Sequence, residues 1–276
     1  MNALVLGAEG QLGTDLVRLL GSSAGVGRRE VSVSDALAVD AILGTRRPAV
    51  VFNCAAYNAV DDAESDPAAA RAVNTDGAFN VAAACARSGA RLVHFSTNFV
   101  FDGRSARPYV ETDEAAPQGA YARSKFDGER RVLDAQPEAL VIRTAALYGG
   151  VRGSSFPERI RERAARAERI RVVSDQTVNP TYTADLAQAA LGLAEEGLEG
   201  IVHLVSGECC SWDEFARAVL DELQLPAAVE SIPSSAIHAA APRPRNGCLQ
   251  SIRVSALRPW REGLREWARR RALETQ

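Results

Sequence analysis

The chain has 276 residues, 46% of them hydrophobic and 24% charged, which suits one domain with a full core plus a small extra lobe and leaves no stretch that reads as disordered. A formal net charge of −3 and a pI near 5.8 provide no basic footprint for nucleic acid or an anionic membrane, so neither is an expected partner. The opening Met-Asn-Ala-Leu-Val-Leu-Gly has no basic leader and no apolar run approaches the ~18 residues of a membrane span, so a cytoplasmic protein is the expectation.

Residues 3–6 read as a short buried strand, and residues 11–20 carry Leu12, Leu16, Leu19 and Leu20 at helical spacing. The turn between them is Gly7-Ala-Glu-Gly10-Gln-Leu-Gly13. Gly7 permits a tight turn, Gly10 lets the backbone approach a pyrophosphate, and Gly13 lets helix and sheet pack closely, with phosphate at the helix N-terminus where Gln11 and Leu12 stand. The Gly-x-x-Gly-x-x-Gly spacing suits the short-chain dehydrogenase variant of the dinucleotide fold, although three glycines also meet in turns by chance. A second strand should end near Gly25-Val26-Gly27, where an acidic residue would hold a ribose 2′-hydroxyl. Arg28-Arg29 stands there instead. A guanidinium at Arg28 suits a 2′-phosphate and favours NADPH, with NADH left open and a solvated surface arginine an equal reading.

Residues 49–53 form the next strand, followed by Ala55, Ala56 and Tyr57, whose small members either let a dinucleotide lie against the backbone or are plain core. Residues 67–88 read as one alanine-rich helix in which Asn74 is as much a packing hydrogen bond as a functional group, and 91–96 as a strand running into Ser96-Thr97. Tyr121 and Lys125 then open a helix over 121–133, and four residues is one turn, so phenol and ammonium share a face. A cation beside a phenol of ordinary pKa ~10 favours the phenolate and brings proton exchange toward neutral pH. The plain alternative is an exposed tyrosine at a helix start.

With a strand at 139–143, the alternation argues an α/β fold, a Rossmann-type doubly wound parallel sheet over residues 1–150. Beyond Tyr148-Gly149-Gly150 the pattern loosens into helices near 155–168, 183–195 and 212–223 and strands at 170–173 and 201–205. These make a small C-terminal α/β substrate lobe over 151–276, partly interleaved with the sheet. Ser211-Trp-Asp-Glu214 has the form of a capping box, and Pro259 opens an amphipathic helix with Trp260, Leu264 and Trp267. Residues 233–245, rich in Ser, Ala and Pro, form a loop able to close over a ligand. Cys54, Cys85, Cys209, Cys210 and Cys248 contain no Cys-x-x-Cys pair and read as buried thiols. His94 and His203 read as core histidines, and no metal site is expected.

Taken together, several strings resemble the extended short-chain dehydrogenases/reductases of the dTDP-4-dehydrorhamnose reductase type. They are Gly10-Gln-Leu-Gly13, Asn53-Cys-Ala-Ala-Tyr-Asn-Ala-Val-Asp-Asp-Ala-Glu64, Ser96-Thr-Asn-Phe-Val-Phe-Asp-Gly103, Tyr121 with Lys125 and Gly128-Glu129, Arg143-Thr144, Asp175-Gln176 before Pro180-Thr181, and Arg243-Pro244. The resemblance implies reduction by NAD(P)H of the 4-keto group of a dTDP-linked 6-deoxy sugar. It implies Tyr121 as proton donor, Lys125 as the cation that lowers its pKa and holds the nicotinamide ribose, and Thr97 as a hydrogen-bond donor to the keto oxygen, where a strand-end turn residue is the plain reading. Arg243 would meet the diphosphate, or is a surface arginine.

The same resemblance places Asn58, Asn98, Phe99 and Ala146 toward the sugar, and each departs from the family pattern: threonine is usual at the first, Asp-Tyr at the next two, tryptophan at the last. An altered sugar pocket with weaker or broader recognition is the expectation. Two other functions stay open. One is reduction of a different 4-keto deoxysugar nucleotide; the other is a non-catalytic NADP-binding subunit resembling the regulatory subunit of methionine adenosyltransferase. A homodimer is left open.

Overall fold

In the computed structural model, which describes residues 2–150, 155–166 and 169–274, the expected alternation closes into one parallel sheet. Its six strands lie in the order Gly200–His203, Leu140–Thr144, Arg91–Thr97, Val50–Asn53, Ala3–Leu6, Gly25–Val26. Side chains alternate across it, as period 2 requires. Leu4, Val51, Leu92 and Val141 enter one core with the helices Ala36–Arg46 and Ala78–Ser88, while Val5, Phe52, Val93 and Ile142 enter the other, against Gln11–Leu20 and Thr183–Glu196. Being buried on both faces explains why these strands read as unbroken apolar runs. Register aligns Leu6 with Asn53, Asn53 with His94 and Thr97 with Thr144, so the carboxyl ends form one rim. In open α/β sheets ligands bind outside that rim.

The last strand, Gly200–His203, comes from beyond residue 150 and pairs with Leu140–Thr144, which interleaves the two halves of the chain. The rest of the lobe has its own core of Tyr148, Ile170, Tyr182, Phe215, Trp260, Leu264 and Trp267. Its helix Trp212–Glu222 begins at the foreseen capping box, and the C-terminal helix runs Trp260–Glu274. The expected helix near 155–168 is Phe156–Ala165, and residues 167 and 168 fall outside those described. Among the described residues no helix is long and apolar enough to cross a membrane, and no group of three His, Cys, Asp or Glu is arranged to hold a metal ion.

Three features differ from the sequence expectations. The alanine-rich helix over 67–88 is interrupted: Pro67–Arg71 and Ala78–Ser88 are α-helical, and Ala72–Gly77 between them is a π turn. The helix Ala36–Arg46 and the strand Val229–Ile232, paired with Ile170–Val173, carry too weak a periodicity to be read from sequence. Cys209 and Cys248, read as separate thiols, are disulfide-linked, because Cys210–Ser211 and Asn246–Gly247 both flank Thr177–Val178 in a small three-stranded sheet. Cys54, Cys85 and Cys210 are free thiols.

Candidate active site

At the first rim the glycine turn is packed to its limit. A Cβ at Gly13 would lie 2.2 Å from the Gly7 carbonyl oxygen, and Gly7, at φ +75°, would press one to 2.7 Å from the Ala55 nitrogen. Gly10 meets only that same carbonyl, so its outer side is open, and no side chain caps the helix that starts at Gln11. The unpaired amides of Gln11 and Leu12 therefore suit a phosphate. Gly150 closes on Gln11 from above, its Cβ position 2.8 Å from the Gln11 oxygen. Ala55 backs onto Gly7, and Asn74 fixes the segment that follows by accepting from the Tyr57 N–H at 2.8 Å and donating to the Tyr57 carbonyl at 3.1 Å. Gln11 Oε1, Ser96 Oγ and Thr144 Oγ1 are buried without hydrogen-bond partners around this cleft. A cradle of glycine backbone, free helix amides and unmet polar atoms fits a dinucleotide.

Arg28 and Arg29 follow the short second strand, exposed and with no ion pair among the described residues. The carboxylate missing from that strand end is supplied from elsewhere: Glu9, inside the glycine turn, places its side chain 2.9 Å from a Cβ built on Gly27. Charges of both signs thus meet at the end of the second strand.

Deeper in the rim, Tyr121 and Lys125 occupy the first turns of Gly119–Ala135. The helix start is fixed by Glu64, whose Oε1 accepts from the Ala120 N–H at 2.6 Å. Its far side is held by the buried pair of Glu129 and Arg143, Oε2 to Nη2 2.7 Å. Ser124 between Tyr121 and Lys125 receives a bond from Asn74 at 3.0 Å. Lys125 is 3% exposed and donates to the Phe95 carbonyl at 2.6 Å. Burial lowers its pKa to about 8, with Glu129 acting the other way.

The Tyr121 phenol lies 3.5 Å from Asn58 Oδ1 and edge-on to Phe99, ring centroids 5.6 Å apart. Its pKa moves opposite to the sequence expectation: burial pushes it up to about 12, with the hydrogen bond to Thr97 acting the other way. Desolvation penalises the phenolate more than the lysine, whose ammonium is engaged by the Phe95 carbonyl, relieves it. The result is a phenol that keeps its proton at neutral pH, the form a proton donor needs. Lys125 is a cation below about 8 and neutral above it. Since only the cation stabilises the phenolate left by proton transfer, kcat for a reduction is expected to be level below pH 8 and to fall as pH rises through it. A kcat–pH profile that stays flat to pH 9.5 would contradict this.

A cavity of about 780 Å³ opens beside Asn58 and Phe99, the two residues in contact with the Tyr121 side chain, and runs into the lobe, lined also by Asn98, Ala146 and Arg243 and, on the lobe side, by Arg159, Arg163 and Arg171. Asn98 uses its amide internally, donating to the Gly247 carbonyl at 2.9 Å and accepting from Thr97 at 3.3 Å, which a carboxylate could not do as donor. Arg243 is held by Asp61, Nη2 to Oδ2 2.6 Å, and by the Ala241 carbonyl at 2.8 Å. The 233–245 segment is thereby tied down across the cavity mouth, and its other end is fixed by Ser234 on Asp175.

A profile of the RmlD substrate binding domain matches residues 1–272. The chain belongs to that family. It is 43% identical over 279 residues to a dTDP-4-dehydrorhamnose reductase of Mycobacterium tuberculosis, covering 95% of this chain and 90% of that one. It is 41% identical to a probable dTDP-4,6-dihydroxy-2-methyloxan-3-one 4-ketoreductase of Streptomyces antibioticus, covering 96% and 94%. The crystal structure of dTDP-4-dehydrorhamnose reductase from Bacillus anthracis in complex with NADP superposes with a TM-score of 0.92 at 31% identity, covering 96% of this chain and 97% of that one.

Within this RmlD-family fold, Glu64 and Glu9 carry no sequence signal of a role and Asn74 one that packing explains equally well, yet each touches the cleft or the helix carrying Tyr121. Glu64 stood inside a family string without a role, and Asn74 had a local signal only in being an asparagine within an alanine run. Trp212 and Phe156 on the cavity wall were read only as helix-start and lobe residues.

Proposed function

We propose that this chain is an NADPH-dependent oxidoreductase that reduces the 4-keto group of a dTDP-linked 6-deoxy sugar. The observation that carries the reading is the protonated Tyr121 phenol near Thr97, between a dinucleotide cradle and the residues Asn58 and Phe99, which touch its side chain and line a nucleotide-sugar-sized cavity. When bound, NADPH supplies hydride to the keto carbon. Thr97 turns its O–H from Asn98 to the carbonyl oxygen, and Tyr121 delivers its proton to that oxygen as charge develops on it. Lys125 stabilises the resulting phenolate and binds the ribose of the cofactor. The arginines along the outer cavity meet the diphosphate. Arg243 joins them by leaving Asp61, or stays as the tie of the mouth.

A second reading, reduction of a different 4-keto deoxysugar nucleotide, is favoured by Phe99, which offers no hydroxyl where the family has tyrosine. A non-catalytic NADP-binding subunit has no use for a buried proton donor. The test is loss of NADPH absorbance with dTDP-4-keto-6-deoxy sugars generated in situ from dTDP-glucose. NADPH binding without consumption, across several such sugars, would overturn the enzyme reading.

The charges at the ribose end make a separate prediction. Arg28→Ala is expected to lower the NADPH/NADH ratio of kcat/KM by about tenfold or more, and Glu9→Ala to raise it, because a charge-assisted contact to phosphate contributes ~1.5–3 kcal/mol. Equal ratios in both variants and wild type would show that neither side chain reads the 2′ group.

A further inference from the structure

We propose that Trp212 is the specificity-determining wall of the sugar pocket, stacking on the apolar face of the hexose ring and donating its indole N–H to one sugar hydroxyl. The inference rests on the reductase reading and names the residue that reads the sugar. Phe99, Phe156 and Trp212 are the large aromatic side chains lining the cavity, beside the imidazole of His238. Phe99 belongs to the reactive end, edge-on to Tyr121. Ala146 contributes only a methyl group, so the remaining broad apolar surface is the indole with Phe156 behind it.

The placement of the indole follows from the backbone. Ser211 pairs with Thr177 and Cys210 with Val178, while the Ala146 carbonyl accepts from the Thr181 N–H at 3.2 Å, so both residues are attached to one short segment. Both pack against the same cluster of Val100, Phe101, Val178, Val205 and Leu249. Trp212 is the first residue of its helix and is held there by the reciprocal capping box of Ser211 and Glu214.

Its ring is braced as well. The centroid of Phe156 lies 4.7 Å away, Phe156 stacks on buried Phe215 at 5.3 Å, and Phe215 meets Trp260 edge-on at 5.6 Å. A wall backed into the core keeps its shape without further ordering, which is what discrimination between similar ligands needs. The polar edge of the ring is unused: the Trp212 N–H makes no hydrogen bond among the described residues, although the side chain is only half-buried. A donor on an open cavity wall is free to select for a hydroxyl, and such selection is stronger than selection by apolar shape alone. The open wall expected from Ala146 is in this way furnished from another part of the chain.

The test uses the NADP-saturated full chain and compares binding of dTDP-glucose with that of dTDP, by calorimetry, alongside KM for dTDP-4-keto-6-deoxy sugars. Trp212→Ala is expected to weaken dTDP-glucose by about tenfold or more while dTDP stays within about twofold, because lost stacking and one lost hydrogen bond together amount to ~1–3 kcal/mol. Trp212→Phe keeps an aromatic ring packed against Phe156 and the fold, and should lose about three- to tenfold, the share of the hydrogen bond. KM is expected to follow the dTDP-glucose affinity, with the KM for NADPH unchanged. Equal weakening of dTDP and dTDP-glucose, or no change in either variant, overturns the proposal. Absence of turnover in wild type with an intact difference between the two ligands overturns the reductase reading alone.

Discussion

Tyr121→Phe is expected to reduce kcat by ~10²–10⁴-fold and to leave the NADPH dissociation constant within about twofold, the signature of a group that acts only in the transition state. The phenol is buried and protonated, its pKa up to about 12, and it touches Asn58 and Phe99 of the cavity wall. Removing one oxygen leaves the ring, its edge-on packing with Phe99 and the helix Gly119–Ala135 in place. The glycine cradle lies on other elements, and Lys125 on the same helix keeps its bond to the Phe95 carbonyl. Steady-state turnover with equilibrium NADPH binding separates the two quantities. A variant within about threefold of wild type would remove Tyr121 from the chemistry.

Gly13→Ala is expected to weaken NADPH by at least tenfold and to lower Tm by several degrees. The added methyl would lie 2.2 Å from the Gly7 oxygen and 2.9 Å from the Ala8 Cα, both backbone atoms of the phosphate turn. The Gly7 oxygen also accepts from the Gly10 N–H at 3.0 Å, so relieving the contact pulls the turn away from the helix amides it should present. Overpacking of this kind costs ~1–3 kcal/mol, and tenfold in affinity is ~1.4 kcal/mol. Gly44→Ala is the matched control: nothing lies within 4 Å of its Cβ position, on the helix Ala36–Arg46, so that variant should be neutral or slightly stabilised. Equal NADPH affinity and Tm in the two variants would show that close packing at Gly13 does not shape the cofactor cleft.

What the sequence determined by itself is whatever depends on near neighbours. The strand Ala3–Leu6, the helix Gln11–Leu20 and the glycines between them were legible because apolar period and turn chemistry act within a few residues. Tyr121 and Lys125 were legible as a pair because four residues make a helical turn, and Ser211 with Glu214 because a capping box is a local exchange of hydrogen bonds. Only the tertiary structure decided the rest. The π turn at Ala72–Gly77 accompanies the bonds of Asn74 to Tyr57 and to Ser124, partners 17 and 50 residues distant. Arg243 meets an aspartate 182 residues away, and Cys209 a cysteine 39 residues away. The Tyr121 phenol shifts upward because its burial, which no spacing encodes, outweighs every nearby charge. The indole of Trp212 reaches the cavity wall for the same kind of reason: hydrogen bonding, desolvation and packing depend on distance in space, and folding sets that distance almost independently of separation along the chain.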